Sequence, residues 1–142
     1  MAGPLLEWVD CWHLGAAANP RALPVAELRA ALEALGTERG LTLNLKEYGG
    51  IEEAIAGAGA RALTGDCILA FGSFTTVEAV LPSFRARGQG QIALLSSLAA
   101  YFGLPVTPCY CASKAAIKAY GEALRGWLSS FGRRGVGMYD QQ

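Results

Sequence analysis

Short apolar runs alternate with segments of helical periodicity along the chain, and this alternation constrains the fold more than any other feature. The strand-like runs are residues 5–14, 41–48, 67–71, 91–95 and 135–139. The segments with helical spacing of apolar residues are 25–36, 51–62, 75–88 and 108–131. Parallel strands need crossover connections, and crossover helices cover the sheet. The sequence therefore predicts an α/β fold: a single three-layer domain over residues 1–142, with four or five parallel strands and helices on both faces.

The length of the chain limits how large that sheet can be. A parallel strand–helix–strand unit takes about 30 residues or more, so 142 residues hold few such units. A complete dinucleotide-binding sheet built from two halves does not fit comfortably in this length. The composition, 52% hydrophobic and 17% charged, is typical of a folded protein and excludes a disordered tail.

Charge and hydropathy argue against two kinds of partner. The net charge is zero, so the chain as a whole offers no electrostatic surface for nucleic acid or for an anionic membrane. No apolar run approaches the ~18 residues of a membrane span, and no secretory signal is evident. We therefore expect a cytoplasmic protein. The charge is unevenly divided, since residues 1–74 carry −4 (5 basic, 9 acidic) and residues 75–142 carry +4 (7 basic, 3 acidic).

The cysteine and histidine pattern predicts no metal site. The four cysteines show no C-x-x-C spacing, and His13 is the only histidine. Cys11 and Cys67 lie in apolar runs, where free cysteines usually serve as small core residues. We expect His13 to lie at a strand end or on the surface.

Three polar residues in the second half form the candidate site. Ser97 follows the apolar run 91–95, at the carboxyl end of a strand, where α/β sheets bind their ligands. Tyr110 and Lys114 are four residues apart, so in a helix their side chains lie on one face and can touch. An ammonium beside a phenol favours the phenolate, and such a tyrosine can act as a general acid or base. We expect Ser97, Tyr110 and Lys114 to be catalytic.

The segment around these residues resembles the short-chain dehydrogenases/reductases. The stretch GQGQIALLSSLAAYFGLPVTPCYCASKAAIKAYGEALR is similar to that family's strand, serine loop and Y-x-x-x-K helix. The resemblance covers about residues 75–136. It implies that Ser97 binds a substrate carbonyl or hydroxyl and that Tyr110 transfers the proton. Lys114 would tune Tyr110 and, together with Tyr110, bind an NAD(P) cofactor at its nicotinamide ribose.

One part of that family's pattern is not found in this sequence. The glycine-rich turn T-G-x-x-x-G-x-G, which follows the family's first strand, does not occur. GAGARA at residues 57–62 lies within a helical pattern and follows no strand. NAD(P) is therefore expected without its usual glycine-rich binding motif.

The first half resembles a different family. Residues 1–80 are similar to the C-terminal domain of folylpolyglutamate/dihydrofolate synthases, which belong to the Mur ligase superfamily. The most specific element is F-G-S-F-x-T-V-x-x-V at residues 71–80, supported by Trp12-His13-Leu14 and by the Pro20-Arg21 loop. The two resemblances overlap at residues 75–82, which suggests a chimera joined at a helix common to both, with one continuous Rossmann-like sheet. The sequence contains no G-x-x-x-x-G-K-[ST], so ligase activity is not expected.

Two classes of function follow from these patterns. The first is a truncated, chimeric dehydrogenase-like oxidoreductase that acts on a small-molecule carbonyl or alcohol with a nicotinamide cofactor. Serine/lysine-assisted hydrolysis is another chemistry open to the same residues. The second class is an inactive Rossmann-like scaffold that dimerises. In the dehydrogenases that the second half resembles, the two helices that match residues 75–88 and 108–131 form a dimer interface. The resemblance therefore implies a homodimer through these helices, and apolar residues that recur along the second helix support it. Those residues are Tyr120, Leu124, Trp127 and Leu128.

Overall fold

A computed structural model of the chain describes residues 3–87, 90–129 and 136–141, the last range for its backbone only. The chain divides into two compact units, Met1–Pro82 and Ser83–Gln142, which we call unit 1 and unit 2. None of the helices in the described ranges is both long enough and apolar enough to cross a membrane.

Unit 1 is built on two short parallel strands, β1 (Trp12–Leu14) and β2 (Leu45–Glu47). Trp12 lies opposite Leu45, and Leu14 lies opposite Glu47. Between the two strands runs α1 (Val25–Glu38), which follows a loop and begins directly after Pro24. The connection β1–α1–β2 is the crossover that parallel pairing requires.

The core of unit 1 forms where α1 packs near β1. Leu6, Trp12, Leu14 and Leu32 are buried together. The other apolar residues on the same face of α1 pack against them, and these are Val25, Leu28 and Leu35. The spacing of apolar residues therefore predicted the buried face of this helix correctly.

Helix α2 (Ile51–Arg61) completes the regular structure of unit 1 and approaches the end of β1 closely. A side chain at Gly15 would collide with the backbone of Gly50, just before the helix begins. Ala54 is buried, and Ala58 is half-buried one turn further on. Small residues on this face let the helix lie near the strand.

Unit 2 contains the parallel pair β3 (Ile92–Ser97) and β4 (Val136–Gln141) and the long helix α4 (Pro108–Ser129). Helix α3 (Phe74–Arg87) precedes them in the chain. Along β3 the side chains alternate, with Ile92 and Leu94 buried and Ala93 and Leu95 exposed. This period of two is that of a strand with one covered face.

The single continuous sheet is not observed. The described residues form two separate parallel sheets of two strands each. Residues 67–71, expected as a buried strand, have no strand assignment, and Cys67 and Leu69 are exposed. An apolar run without alternation does not specify its partner, because strand pairing depends on residues far away in the chain. Among the described residues, the strands before and after Thr75 therefore belong to different sheets.

Two residues of the expected dimer face are buried within the chain. Leu124 and Leu128 are buried within the chain, at 6% and 1% exposure. Trp127 is exposed, and the Arg85 guanidinium lies over its ring, 5.1 Å from the centroid. The repeat of apolar residues on α4 therefore marks a buried face at Leu124 and Leu128, and the homodimer stays a prediction.

Candidate functional site

The candidate site lies between the end of β3 and the start of α4, in unit 2. Ser97 ends the strand, and its Oγ accepts a hydrogen bond from the backbone N–H of Ala99 at 3.2 Å. This bond closes a short 3-10 turn over residues 98–100. Helix α4 then begins at Pro108, a residue well suited to a first helical position. The Leu104 backbone N–H donates to Cys111 Sγ at 3.2 Å, which ties the connecting loop to the first turns of α4.

The structure brings Tyr110 and Lys114 together. The Lys114 ammonium lies 5.5 Å from the centroid of the Tyr110 ring. Its Nζ also donates a hydrogen bond to the backbone carbonyl of Leu95 at 3.3 Å. Lys114 therefore connects the tyrosine on α4 to the strand end two residues before Ser97. The spacing of four residues predicted the first contact, whereas the second depends on how α4 packs on β3.

Tyr110 and Ser97 differ in their exposure. Tyr110 is 44% exposed, whereas Ser97 is 8% exposed. Within the described part of the chain, no hydrogen bond joins Ser97 to Tyr110 or to Lys114. The bond from Ala99 uses one lone pair of the Ser97 hydroxyl and leaves its proton free to donate.

Ser96 contributes to the site and was missed by the sequence analysis. It is 1% exposed, and its Oγ donates to the backbone carbonyl of Lys114 at 3.1 Å. This bond fixes α4 to β3 at the level of the catalytic candidates. The alternation along the strand could have identified it, because Ser96 lies on the same buried face of β3 as Ile92 and Leu94. A hydroxyl group buried there needs a hydrogen-bond partner.

The segment that connects β3 to α4 is uncharged and exposes several apolar side chains. The sequence has no charged residue from position 91 to position 113. Four large side chains of the connecting loop are exposed, and these are Leu98, Tyr101, Phe102 and Val106. The Lys118 ammonium lies 5.2 Å from the centroid of the Tyr101 ring and pairs with Glu122 at 2.6 Å. Tyr101 is thus held beside the next turn of α4 after Lys114.

The starts of α1 and α2 do not fit the pyrophosphate of a dinucleotide. A phosphate at a helix N-terminus is bound by free N–H groups in a positive field. Helix α1 has Glu27 in its first turn, and α2 has Glu52 and Glu53 there. Glu53 Oε2 already accepts the N–H of Gly49 at 3.0 Å. These carboxylates oppose a phosphate at the start of either helix.

Comparison with known proteins identifies the segment that carries the site. Residues 68–132 match the short chain dehydrogenase family. This dehydrogenase-like segment includes Ser97, Tyr110 and Lys114. It begins a few residues before position 75, where the sequence resemblance was expected to start.

Individual relatives agree with the family match. A dehydrogenase/reductase SDR family member 7C-A of Danio rerio is 39% identical over 62 residues, which cover 44% of this chain and 19% of the relative. A dehydrogenase/reductase SDR family protein 7-like of Drosophila melanogaster is 42% identical over 60 residues, covering 42% of this chain and 18% of the relative. The chain thus spans about a fifth of the length of the curated relatives it matches.

The comparisons confirm one half of the expected chimera. The likeness to short-chain dehydrogenases is confirmed over residues 68–132. The resemblance of residues 1–80 to a Mur ligase-type domain stays a prediction, and so does the join between the two.

Proposed function

We propose that the dehydrogenase-like segment provides the proton-transfer residues of an oxidoreductase that interconverts a carbonyl and an alcohol. The observation that supports this most directly is the contact of the Lys114 ammonium with the Tyr110 ring, at 5.5 Å from its centroid. The family match over residues 68–132 supports the same chemistry. No observation favours an inactive scaffold over this oxidoreductase function.

Tyr110 is the general acid or base of the proposal. In the reducing direction its phenol O–H donates a proton to the carbonyl oxygen while the carbonyl carbon gains a hydride, and the product is an alcohol. The phenolate left on Tyr110 is stabilised by the nearby positive charge of Lys114. In the oxidising direction the phenolate takes the alcohol proton. The partial exposure of Tyr110 allows a substrate to reach it.

Ser97 and Lys114 have supporting roles. The free proton of the Ser97 hydroxyl can donate to the substrate oxygen and orient it. Lys114 has three N–H donors, and one is used on the Leu95 carbonyl. The remaining donors fit the hydroxyls of a ribose beside Tyr110.

A nicotinamide dinucleotide, NAD or NADP, is the proposed source or acceptor of the hydride. Lys114 would bind its ribose, whereas the carboxylates at the starts of α1 and α2 do not suit its pyrophosphate. The proposal therefore assigns proton transfer to this chain and assigns no residue to phosphate binding.

The test combines cofactor binding with turnover. NADH and NADPH are titrated while the melting temperature is followed, since a ligand at 100 times its Kd stabilises a protein by about 2.7 kcal/mol. Turnover is then measured with a panel of aromatic ketones and aldehydes through the loss of reduced-nicotinamide absorbance. Tyr110→Phe is expected to lower kcat by about 10²–10⁴-fold and to leave the cofactor-induced shift in place.

Tyr101→Phe is the matched control, because it removes a phenol hydroxyl from an exposed tyrosine of the same unit. It is expected to retain turnover. An unchanged rate in Tyr110→Phe would refute the role of Tyr110. A melting temperature that neither cofactor changes would refute the nicotinamide part of the proposal.

A further inference from the structure

Unit 1 contains a cavity that the proposed function does not use. It has a volume of about 500 Å³ and runs beside β1, between α1, α2 and the segment 66–71. Small-molecule sites typically occupy about 300–1,000 Å³. The cavity therefore has the size of a ligand site, and all of its lining residues belong to unit 1.

Most of the wall is apolar, and part of it is aromatic. Trp8, Trp12 and Phe71 line the cavity, and the rings of Trp12 and Phe71 meet edge to face with centroids 6.3 Å apart. Ala54 and Ala58 of α2 also line it. Small side chains on the helix and large rings elsewhere leave room for a flat molecule that packs against aromatic edges.

Two polar side chains of the lining, His13 and Arg61, give the cavity its chemistry. Tyr48 holds His13 in place, because its hydroxyl and His13 Nδ1 share a hydrogen bond at 2.8 Å and the two rings stack at 5.5 Å. The other ring nitrogen, Nε2, is not needed for that bond. Within the described part of the chain, Arg61 makes no ion pair or hydrogen bond.

Burial and two nearby cations act on His13. Burial lowers the pKa of His13 from its ordinary value of 6.5, and the charges of Arg61 and Lys46 lower it further. Two carboxylates, Asp10 and Asp66, also line the cavity. Asp66 Oδ2 accepts a hydrogen bond from the Leu63 backbone N–H at 2.8 Å.

A buried donor in the lining lacks a partner. Trp12 is 6% exposed, and its indole Nε1–H is buried without an acceptor in the described residues. An unpaired buried N–H costs free energy that an acceptor oxygen would recover. The same residue that lines the cavity thus carries a polar group whose hydrogen bond is unmade.

We propose that this cavity binds a small aromatic carboxylate. Its ring packs between Trp12 and Phe71 on one side and the alanines of α2 on the other. Its carboxylate binds the Arg61 guanidinium, which matches a carboxylate in two parallel hydrogen bonds, and accepts a further bond from His13. The site lies in unit 1 and is independent of the proposed function.

The test uses naphthoate and its neutral amide, naphthamide, with the full chain. Each is titrated to about 1 mM while tryptophan fluorescence and the NMR signal of His13 are followed. His13 is the only histidine, so its signal locates the ligand. Naphthoate is expected to bind saturably and at least about ten-fold more tightly than naphthamide.

Matched variants test separately how the charge of Arg61 and the volume of the cavity contribute to binding. Arg61→Gln is expected to abolish the preference for the acid, whereas Arg21→Gln, an exposed arginine outside the lining, keeps it. Ala58→Leu adds three carbons where the ring of the ligand packs and so fills the cavity. It is expected to weaken the binding of both naphthoate and naphthamide at least about ten-fold. Ala60→Leu, an exposed residue of the same helix outside the lining, is expected to bind as the parent does.

Thermal unfolding of each variant verifies that it is folded. The proposal is overturned if naphthoate does not saturate a site, or if the acid and the amide bind equally. It is also overturned if folded Arg61→Gln or Ala58→Leu binds naphthoate as tightly as the parent chain.

Discussion

The protonation of His13 is set by residues that lie far from it in the sequence. The sequence places His13 in a short apolar run, and on that basis we expected a strand end or a surface position. In the structure it stands in the middle of β1, against Tyr48. Burial, Arg61 and Lys46, in that order, lower its pKa below 6.5. All three effects come from the fold, since Lys46 is on β2 and Arg61 is at the end of α2.

Removing either cation is expected to raise the pKa of His13. Arg61→Gln should raise it more than Lys46→Gln, because Arg61 is the larger of the two electrostatic causes. Both variants should stay below 6.5, because burial is the largest cause of the lowered pKa and is retained. An NMR titration of the single histidine measures this directly, with Arg21→Gln as the unchanged control. A lower pKa in Arg61→Gln would contradict the assignment.

The lowered pKa of His13 makes the stability of the fold depend on pH. Because the folded-state pKa lies below the unfolded value, the unfolded chain takes up a proton first as the pH falls below about 6.5. His13 therefore contributes stability above that pH, and the contribution is lost as the pH falls through the folded-state pKa. Replacing His13 by Gln should flatten this part of the dependence of the unfolding free energy on pH.

At the scale of the element, α2 shows that two glycines in one helix have different roles. Gly57 lies against the Tyr48 side chain, and a methyl group there would collide with the ring and its hydroxyl. Gly59 has open space at the same position. The absent side chain at Gly57 therefore makes room for the ring that orients His13, whereas Gly59 only weakens the helix.

Alanine is expected to stabilise the protein less at position 57 than at position 59. Gly59→Ala should raise the free energy of unfolding by about 0.5–1 kcal/mol, through helix propensity alone. Gly57→Ala gains the same propensity but displaces Tyr48 from His13, which costs about 1 kcal/mol for the lost hydrogen bond. Its stability should therefore fall below that of Gly59→Ala. Urea unfolding of both variants measures the difference, and equal stabilisation would show that Tyr48 moves away without cost.

At the scale of the whole molecule, strand pairing departs from the expected single sheet. The strands pair as β1 with β2 and β3 with β4, each pair parallel. Residues 67–71 are apolar and have no regular secondary structure, and no backbone hydrogen bond joins them to a strand within the described part of the chain. The segment instead forms one wall of the cavity in unit 1.

Hydrogen exchange distinguishes an unpaired segment 67–71 from one that pairs as a strand of a larger sheet. With no partner strand, the amides of residues 68–71 should exchange at nearly the rate of an unstructured peptide, whereas those of β3 should be protected. Mass spectrometry of proteolytic fragments covering 67–71 and 92–97 compares them in one sample. Equal protection of the two segments would show that residues 67–71 pair as a strand and that the expected larger sheet forms.

The sequence by itself determined the features that depend on neighbours along the chain. Apolar spacing gave the four helices to within a few residues of their described ends, and the four-residue spacing of Tyr110 and Lys114 determined their contact. These features are local, because a helix brings together residues three and four apart whatever the rest of the fold does. The resemblance of the second half to dehydrogenases was also recognised from the sequence alone.

Only the tertiary structure decided which distant residues meet. The Lys114 bond to Leu95, the Ser96 bond to Lys114 and the His13 bond to Tyr48 each join residues 18 or more positions apart. The division of the strands into two sheets and the cavity beside β1 also depend on such contacts. These contacts were not predictable because strand pairing and burial are decided by competition over the whole chain. The sequence of an apolar run does not specify which segment it pairs with.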